Sequence, residues 1–240
     1  MGFDFQAAYD QLNASDEDYR FYAALADRLD AGRVVDIGCG TGVLATLLAH
    51  AGRRVVGIDP DPEMLRVARV RPGGDLVDWR CGYASDMDLE SADLAVMSGH
   101  VSQVFLSAEQ WHQTLQAIHR GLRPAGVIAF EMRNPDARAW EGWHREQTLR
   151  TVETSEGPVE FWHETTSVDL PLVTYDTISR NVCTGETRSS PDTLAFRDEP
   201  TLRGDLARAG FTVVSLYGDW DASQVMPTSP ELILTAAKAP

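Results

Sequence analysis

Cysteine is scarce. Cys39, Cys81 and Cys183 are odd in number and widely spaced among 240 residues, which excludes a disulfide framework and the paired spacing of a zinc site. They read as free thiols, and no convergent cluster of acids suggests another metal. Positive charge is also thin: 21 Lys and Arg stand against 36 Asp and Glu, a formal net charge of −15, and no Lys/Arg run forms a patch for a nucleic-acid backbone or an anionic membrane. No apolar run approaches the roughly 20 residues needed to cross a bilayer. The opening MGFDFQAAYDQLNASDEDYR has neither the basic start nor the apolar core of a secretory signal, and Gln6 breaks the myristoylation pattern after Gly2. The expectation is a cytoplasmic protein, monomer or homodimer, without nucleic-acid or membrane partners. Internal repeats and low-complexity tracts are missing as well.

What is present fits one α/β domain over 1–240. DEDYRFYAALADRL, within 1–30, predicts an amphipathic covering helix capped by Ser15 or Asp16. From 31 to 135, short apolar runs alternate with helical patterns, the mark of βαβ units and a parallel sheet. RVVDI, RRVVGID, LVDWRC, LAVMS and VIAFEM read as its strands. TGVLATLLAHAG reads as a helix with Leu44, Leu47 and Leu48 on one face; DPEMLRVARV as one opened by Asp61 and Pro62; EQWHQTLQAIHRGL as one with Trp111, Leu115, Ile118 and Leu122 on one stripe, followed by the turn RPAG. Residues 148–198 change character: Thr, Val and aromatics with turn signals at EGP, LPL and TGE predict an antiparallel meander, a lid. EPTLRGDLARAG, FTVVSLY and ELILTAA, within 199–240, close the chain as a helix and two strands.

The run VVDIGCGTG places Asp36 before glycines at 38, 40 and 42. Glycines let the backbone turn sharply from strand to helix and approach a ligand, and the N–H groups there favour an electron-rich group. A dinucleotide oxidoreductase would show G-x-G-x-x-G, but Val43 stands where the third glycine should fall, and no G-K-[ST] follows as in a P-loop. A carboxylate at Asp36 suits a cationic amine better than a diphosphate.

This run resembles the D-x-G-x-G-x-G motif of class I S-adenosylmethionine-dependent methyltransferases. The resemblance implies a Rossmann-like, seven-stranded doubly wound sheet with S-adenosylmethionine as cofactor and S-adenosylhomocysteine as product. It assigns Asp36, Gly38, Cys39 and Gly40 to the cofactor, Asp59 to the ribose hydroxyls, and Pro60 and Met64 to the adenine flanks. CGYASDMDL resembles the segment that touches the adenine edge, through Tyr83 and Ala84; Tyr83 replaces the usual acid, with Ser85 or Asp86 as substitutes. SADLAVMSGHVSQVF resembles the fourth-strand segment bordering the reactive methyl, where Ser98 meets the cofactor. LRPAGVIAFEMRNP resembles the L-x-P-G-G turn and fifth strand, with Ala125 replacing a glycine. Tyr9 and Arg20 fall where relatives reach the methionine part of the cofactor.

His100, just past the fourth strand, is the candidate base, with Gln103 in the same loop. Arg133 and Asn134, ending the fifth strand, either orient a polar acceptor or serve local ion pairing. Trp143 and Tyr175 are the aromatics expected to wall the acceptor. The implied reaction is in-line methyl transfer to nitrogen or oxygen, and less readily carbon, of a small molecule; the rivals are a non-catalytic S-adenosylmethionine-binding protein and an NAD-dependent oxidoreductase.

Overall fold

A computed structural model of the chain describes residues 10, 11, 16–154 and 157–239. Helix α1 (Glu17–Arg28) leads into β1 (Arg33–Ile37), α2 (Val43–His50), β2 (Arg54–Asp59), α3 (Pro62–Val70), β3 (Val77–Cys81), β4 (Ala92–Met97), α4 (Ala108–Gly121) and β5 (Leu122–Arg133). A short helix, α5 (Arg145–Thr148), precedes β6 (Arg150–Thr154), β7 (Gly157–Asp169), β8 (Leu172–Asn181) and β9 (Thr187–Ala195); α6 (Glu199–Arg208), β10 (Phe211–Tyr217) and β11 (Glu231–Lys238) complete the order.

Two sheets result. The first has seven strands in the order β10-β11-β5-β4-β1-β2-β3, with β1 to β5 parallel and β11 antiparallel to both β5 and β10. Its central strands read as continuous apolar runs because helices cover both faces: one side packs Trp111, Leu115 and Ile118 of α4 onto Phe130, and the other packs Tyr22 and Leu25 of α1 with Leu44 and Leu48 of α2. β1 and β4 are neighbours although their flanking strands run outward in opposite directions, so the crevice beyond their carboxyl ends is the topological switch point. The second sheet is the expected meander, β6-β7-β8-β9, antiparallel throughout.

Local chemistry explains most boundaries and corrects three. Asp61 caps α3 by accepting the Glu63 N–H at 2.8 Å, with Pro62 at the first helical position. Asp61→Ala is expected to lower stability by about 1 kcal/mol, the usual cost of a lost N-cap, read as a shift in the denaturant midpoint at unchanged slope. Ser107 and Gln110 form a capping box on α4. At α1 the expected cap is not made: Ser15 lies outside the described residues, and Asp16 occupies the N-cap without a side-chain cap bond, pairing with Arg20 instead. Leu47 is exposed, and Ala45 and Ala49 complete the buried face of α2 with Leu44 and Leu48. Finally, RPAG does not precede β5 but loops out of it: Ala92 pairs with Leu122 and Leu94 with Val127, and Ala125 takes the left-handed conformation, φ 63°. Sequence pattern sees such an excursion as a turn because both need the same residues.

Candidate functional site

The carboxyl ends of β1, β2 and β4 bring the glycine loop, Asp59 and the segment after Met97 together. Asp36, on β1, is 1% exposed, and both its carboxylate oxygens lack a hydrogen-bond partner among the described residues. Burial pushes its pKa up to about 7, the charge of Asp59 adds to the rise, and the Ala45 backbone pulls the other way without forming a bond of normal geometry. An orphaned buried carboxylate is costly unless something cationic completes it. Asp59, at the end of β2, is also buried; its Oδ2 accepts the Gly40 N–H at 2.8 Å and its Oδ1 the Asp61 N–H at 2.9 Å. Burial raises its pKa against those two N–H groups, which lower it.

The glycines divide by role. Gly40, φ 53°, has open space where a side chain would stand, so ligand can approach its backbone. Gly42, φ 81°, has a different reason: a Cβ there would strike the Trp79 ring, which packs over the turn while its Nε1–H donates to Gly74 O at 2.7 Å. Gly38 is likewise closed by Val101. Of the three, one glycine serves access and two serve packing. Cys39 is buried, and burial pushes its thiol far above the ordinary range, so it is no nucleophile at neutral pH.

Around this crevice, Pro60 is exposed and Met64 half-buried at the start of α3; Ala84 is buried and Tyr83 exposed. Asp86 accepts the Tyr83 N–H at 2.8 Å, so the carboxylate in that segment caps its own turn. Ser98 is buried directly after β4. Tyr9 lies outside the described residues. Arg20 is exposed and paired with Asp16, at the surface of α1.

His100 sits in the left-handed region, φ 62°, ψ 25°, a conformation a non-glycine residue adopts at a cost. Two buried acids hold it there. Glu131 of β5, fully buried, accepts the His100 backbone N–H and the Tyr22 hydroxyl, and Glu231 of β11 accepts from His100 Nε2 at 2.9 Å. Burial raises the pKa of Glu131 and raises that of Tyr22 well above normal, the Glu131 charge adding to the latter. Arg197 braces the same loop by donating to Ser102 O and Phe105 O while lying over the Trp111 ring.

Gln103 and Asn134 are placed differently from expectation. Gln103 is fully buried, donating to Ala195 O and accepting from Arg133, so it ties the loop to the second sheet. Asn134 donates to Met226 O and Ser229 O and accepts the Asp136 N–H. Asn134 has both its N–H groups committed to backbone carbonyls, and Gln103 is buried with its oxygen and one N–H engaged inside the fold, so both amides serve the scaffold. Arg133, besides donating to Gln103, reaches from β5 to lie 5.5 Å from the Trp143 ring centroid; Trp143 packs on Tyr175 at 4.8 Å, and Tyr175 on His163 at 5.1 Å. These half-buried groups form a mixed aromatic and basic wall where the second sheet meets the first. Tyr22 and Glu231 are the residues sequence reading passed over.

Among the described residues no group of His, Cys, Asp and Glu is arranged to hold a metal, and no helix is long and apolar enough to cross a membrane.

Residues 34–126 match the family model described as a methyltransferase domain. The chain is 38% identical over 108 residues to a ubiquinone/menaquinone biosynthesis C-methyltransferase of Rubrivivax gelatinosus, an alignment covering 45% of this chain and 41% of that one. It thus spans less than half the length of this curated relative. Among solved structures it resembles the CcbJ methyltransferase of Streptomyces caelestis, TM-score 0.78 at 21% identity over 93% of this chain and 90% of that one. It also resembles the amino pentose methyltransferase CalS10 of Micromonospora echinaspora, solved with S-adenosylmethionine bound, TM-score 0.71 at 20% identity over 100% and 98%.

Proposed function

We propose, from the methyltransferase-domain match over residues 34–126 and a fold shared with class I methyltransferases, that the chain is an S-adenosylmethionine-dependent methyltransferase acting on nitrogen or oxygen, and less readily carbon, of a small-molecule acceptor. The observation that carries this reading is Asp36: a buried carboxylate without a partner among the described residues, next to an open glycine and a second acid. That set suits an ammonium group and a ribose diol and would repel a diphosphate. Asp36 would hold the amino group, Asp59 the two ribose hydroxyls, and the Gly40 backbone would let the ligand come close.

When bound, the cofactor supplies a sulfonium-activated methyl group. The protein's task is then alignment, exclusion of water and removal of a proton. The second sheet would cover the crevice, with Arg133, Trp143, Tyr175 and His163 facing the acceptor as an amphipathic wall suited to a ring carrying polar groups. His100, held in a strained conformation at the end of the fourth-strand segment, would be the group to take the proton.

The test is calorimetric titration of S-adenosylmethionine and S-adenosylhomocysteine, with NAD as the control. Micromolar binding of both sulfur compounds and none of NAD is expected, and methyl transfer from labelled cofactor to a panel of small amines, alcohols and phenols should then appear. Binding of NAD instead would sink the reading.

A further inference from the structure

His100 is fixed from two directions at once. Its backbone is pinned by Glu131, and its ring by Glu231, which arrives from the last strand 131 residues away. A carboxylate only accepts, so the Glu231 contact puts the proton of a neutral imidazole on Nε2. The other nitrogen, Nδ1, hydrogen-bonds to none of the described residues, and the ring remains 22% exposed. Glu231 is itself 8% exposed and its second oxygen, Oε2, has no partner among them, so its pairing capacity is not taken up by the surrounding fold.

We propose that Glu231 is a positioning residue for methyl transfer: it locks His100 as the Nε2–H tautomer and so leaves the Nδ1 lone pair to receive the acceptor's proton. The inference rests on the methyltransferase reading above. In the step it serves, the acceptor's lone pair forms the new bond to the methyl carbon while the carbon–sulfur bond breaks with its electrons staying on sulfur, and the acceptor's N–H or O–H proton passes to Nδ1. The imidazolium so formed donates through Nε2 to Glu231, which compensates its charge. Strain supports the assignment: a left-handed histidine over-determined by two buried acids is an arrangement that a merely structural loop residue does not need.

The test reads the imidazole directly. Long-range proton–nitrogen NMR spectra of the S-adenosylhomocysteine-loaded protein, with His100→Asn to assign the signal, should show His100 as one neutral tautomer, protonated on Nε2 and bare on Nδ1. In Glu231→Ala the signal should lose that single tautomer, and in Glu231→Gln, which keeps size and burial, the Nε2 proton should exchange with water about tenfold faster as the charge-assisted bond is lost. Glu231→Asp should recover part of the effect. A proton on Nδ1 in the wild type, or spectra unchanged in a folded Glu231→Gln, overturns the proposal. Titration of S-adenosylhomocysteine into the same samples separates the two ideas: affinity should stay within about twofold across the Glu231 variants, since Glu231 touches His100 and not the proposed cofactor ligands. Absence of binding in the wild type would instead remove the methyltransferase reading on which the proposal rests.

Discussion

Replacement of Asp59 by Ala is expected to weaken S-adenosylmethionine and S-adenosylhomocysteine binding by roughly 100-fold. Each ribose hydroxyl donating to an ionised carboxylate is worth about 1.5–3 kcal/mol, so the lower end for two such bonds is about 3 kcal/mol, and about 1.4 kcal/mol corresponds to tenfold. The carboxylate has a second role, since it also accepts the N–H groups of Gly40 and Asp61. Its loss therefore frees the glycine loop while deleting the diol's acceptor, and both effects act in the same direction. Asp59→Asn keeps one acceptor oxygen and should fall between, at about tenfold. Calorimetry on the variants checks this, with thermal melts to show that each is folded. Affinity within threefold of wild type in a folded Asp59→Ala would remove Asp59 from the site.

The parallel core is legible in the sequence because each of its strands is bounded by residues that act locally. Asp36 and the glycines mark the end of β1, Asp61 and Pro62 the start of α3, and Ser107 with Gln110 the start of α4. Apolar runs buried on both faces do the rest. Pattern alone does not separate two physical needs that share one residue type: three glycines in five positions allow both a sharp turn and approach to a ligand, and only the fold shows that Gly42 is small for Trp79 and Gly38 for Val101. A glycine required by a ring from β3 carries no local mark of that ring. The same holds for Gln103 and Asn134, polar residues at the carboxyl edge of the sheet whose amides turn inward to carbonyls supplied by distant segments.

The environment of His100 was hidden for a topological reason. Tyr22 and Glu131 are 109 residues apart and meet because α1 packs on the sheet that holds β5, while His100 and Glu231 are 131 apart and meet because β11 returns between β5 and β10. Sequence could place His100 at the edge of the crevice, because it follows β4 directly. Nothing in the local pattern distinguishes a loop histidine that meets a buried acid from one that meets water.

Cofactor affinity should rise steeply with pH, and Asp36 is the cause. Burial lifts its pKa from 3.8 to about 7 in the protein without ligand. An ammonium group pairs with the ionised form, so the complex binds fewer protons at Asp36 than the unliganded protein does, and affinity must increase with pH until Asp36 is ionised in both. For a pKa of about 7, the ionised fraction grows about fifteenfold between pH 5.5 and 7, and affinity should follow it. Above about pH 8 the ligand's own amino group begins to lose its proton, and the gain should stop and reverse. Folding stability has the opposite sign. Between the ordinary carboxylate range and about pH 7 the folded chain holds a proton at Asp36 that the unfolded chain has released, so the unliganded protein loses stability as pH rises through that window, by about 4 kcal/mol for the full shift. Asp36→Asn keeps the size of the side chain and removes the titration. It should melt higher than wild type at pH 8 without ligand, bind S-adenosylhomocysteine more weakly there, and show little change in affinity from pH 5.5 to 7. Titrations in buffers of different ionisation enthalpy should record proton release in the wild type and almost none in the variant. A flat affinity profile in the wild type, or the same rising profile in Asp36→Asn, would mean that the buried carboxylate is not the partner of the ligand's ammonium.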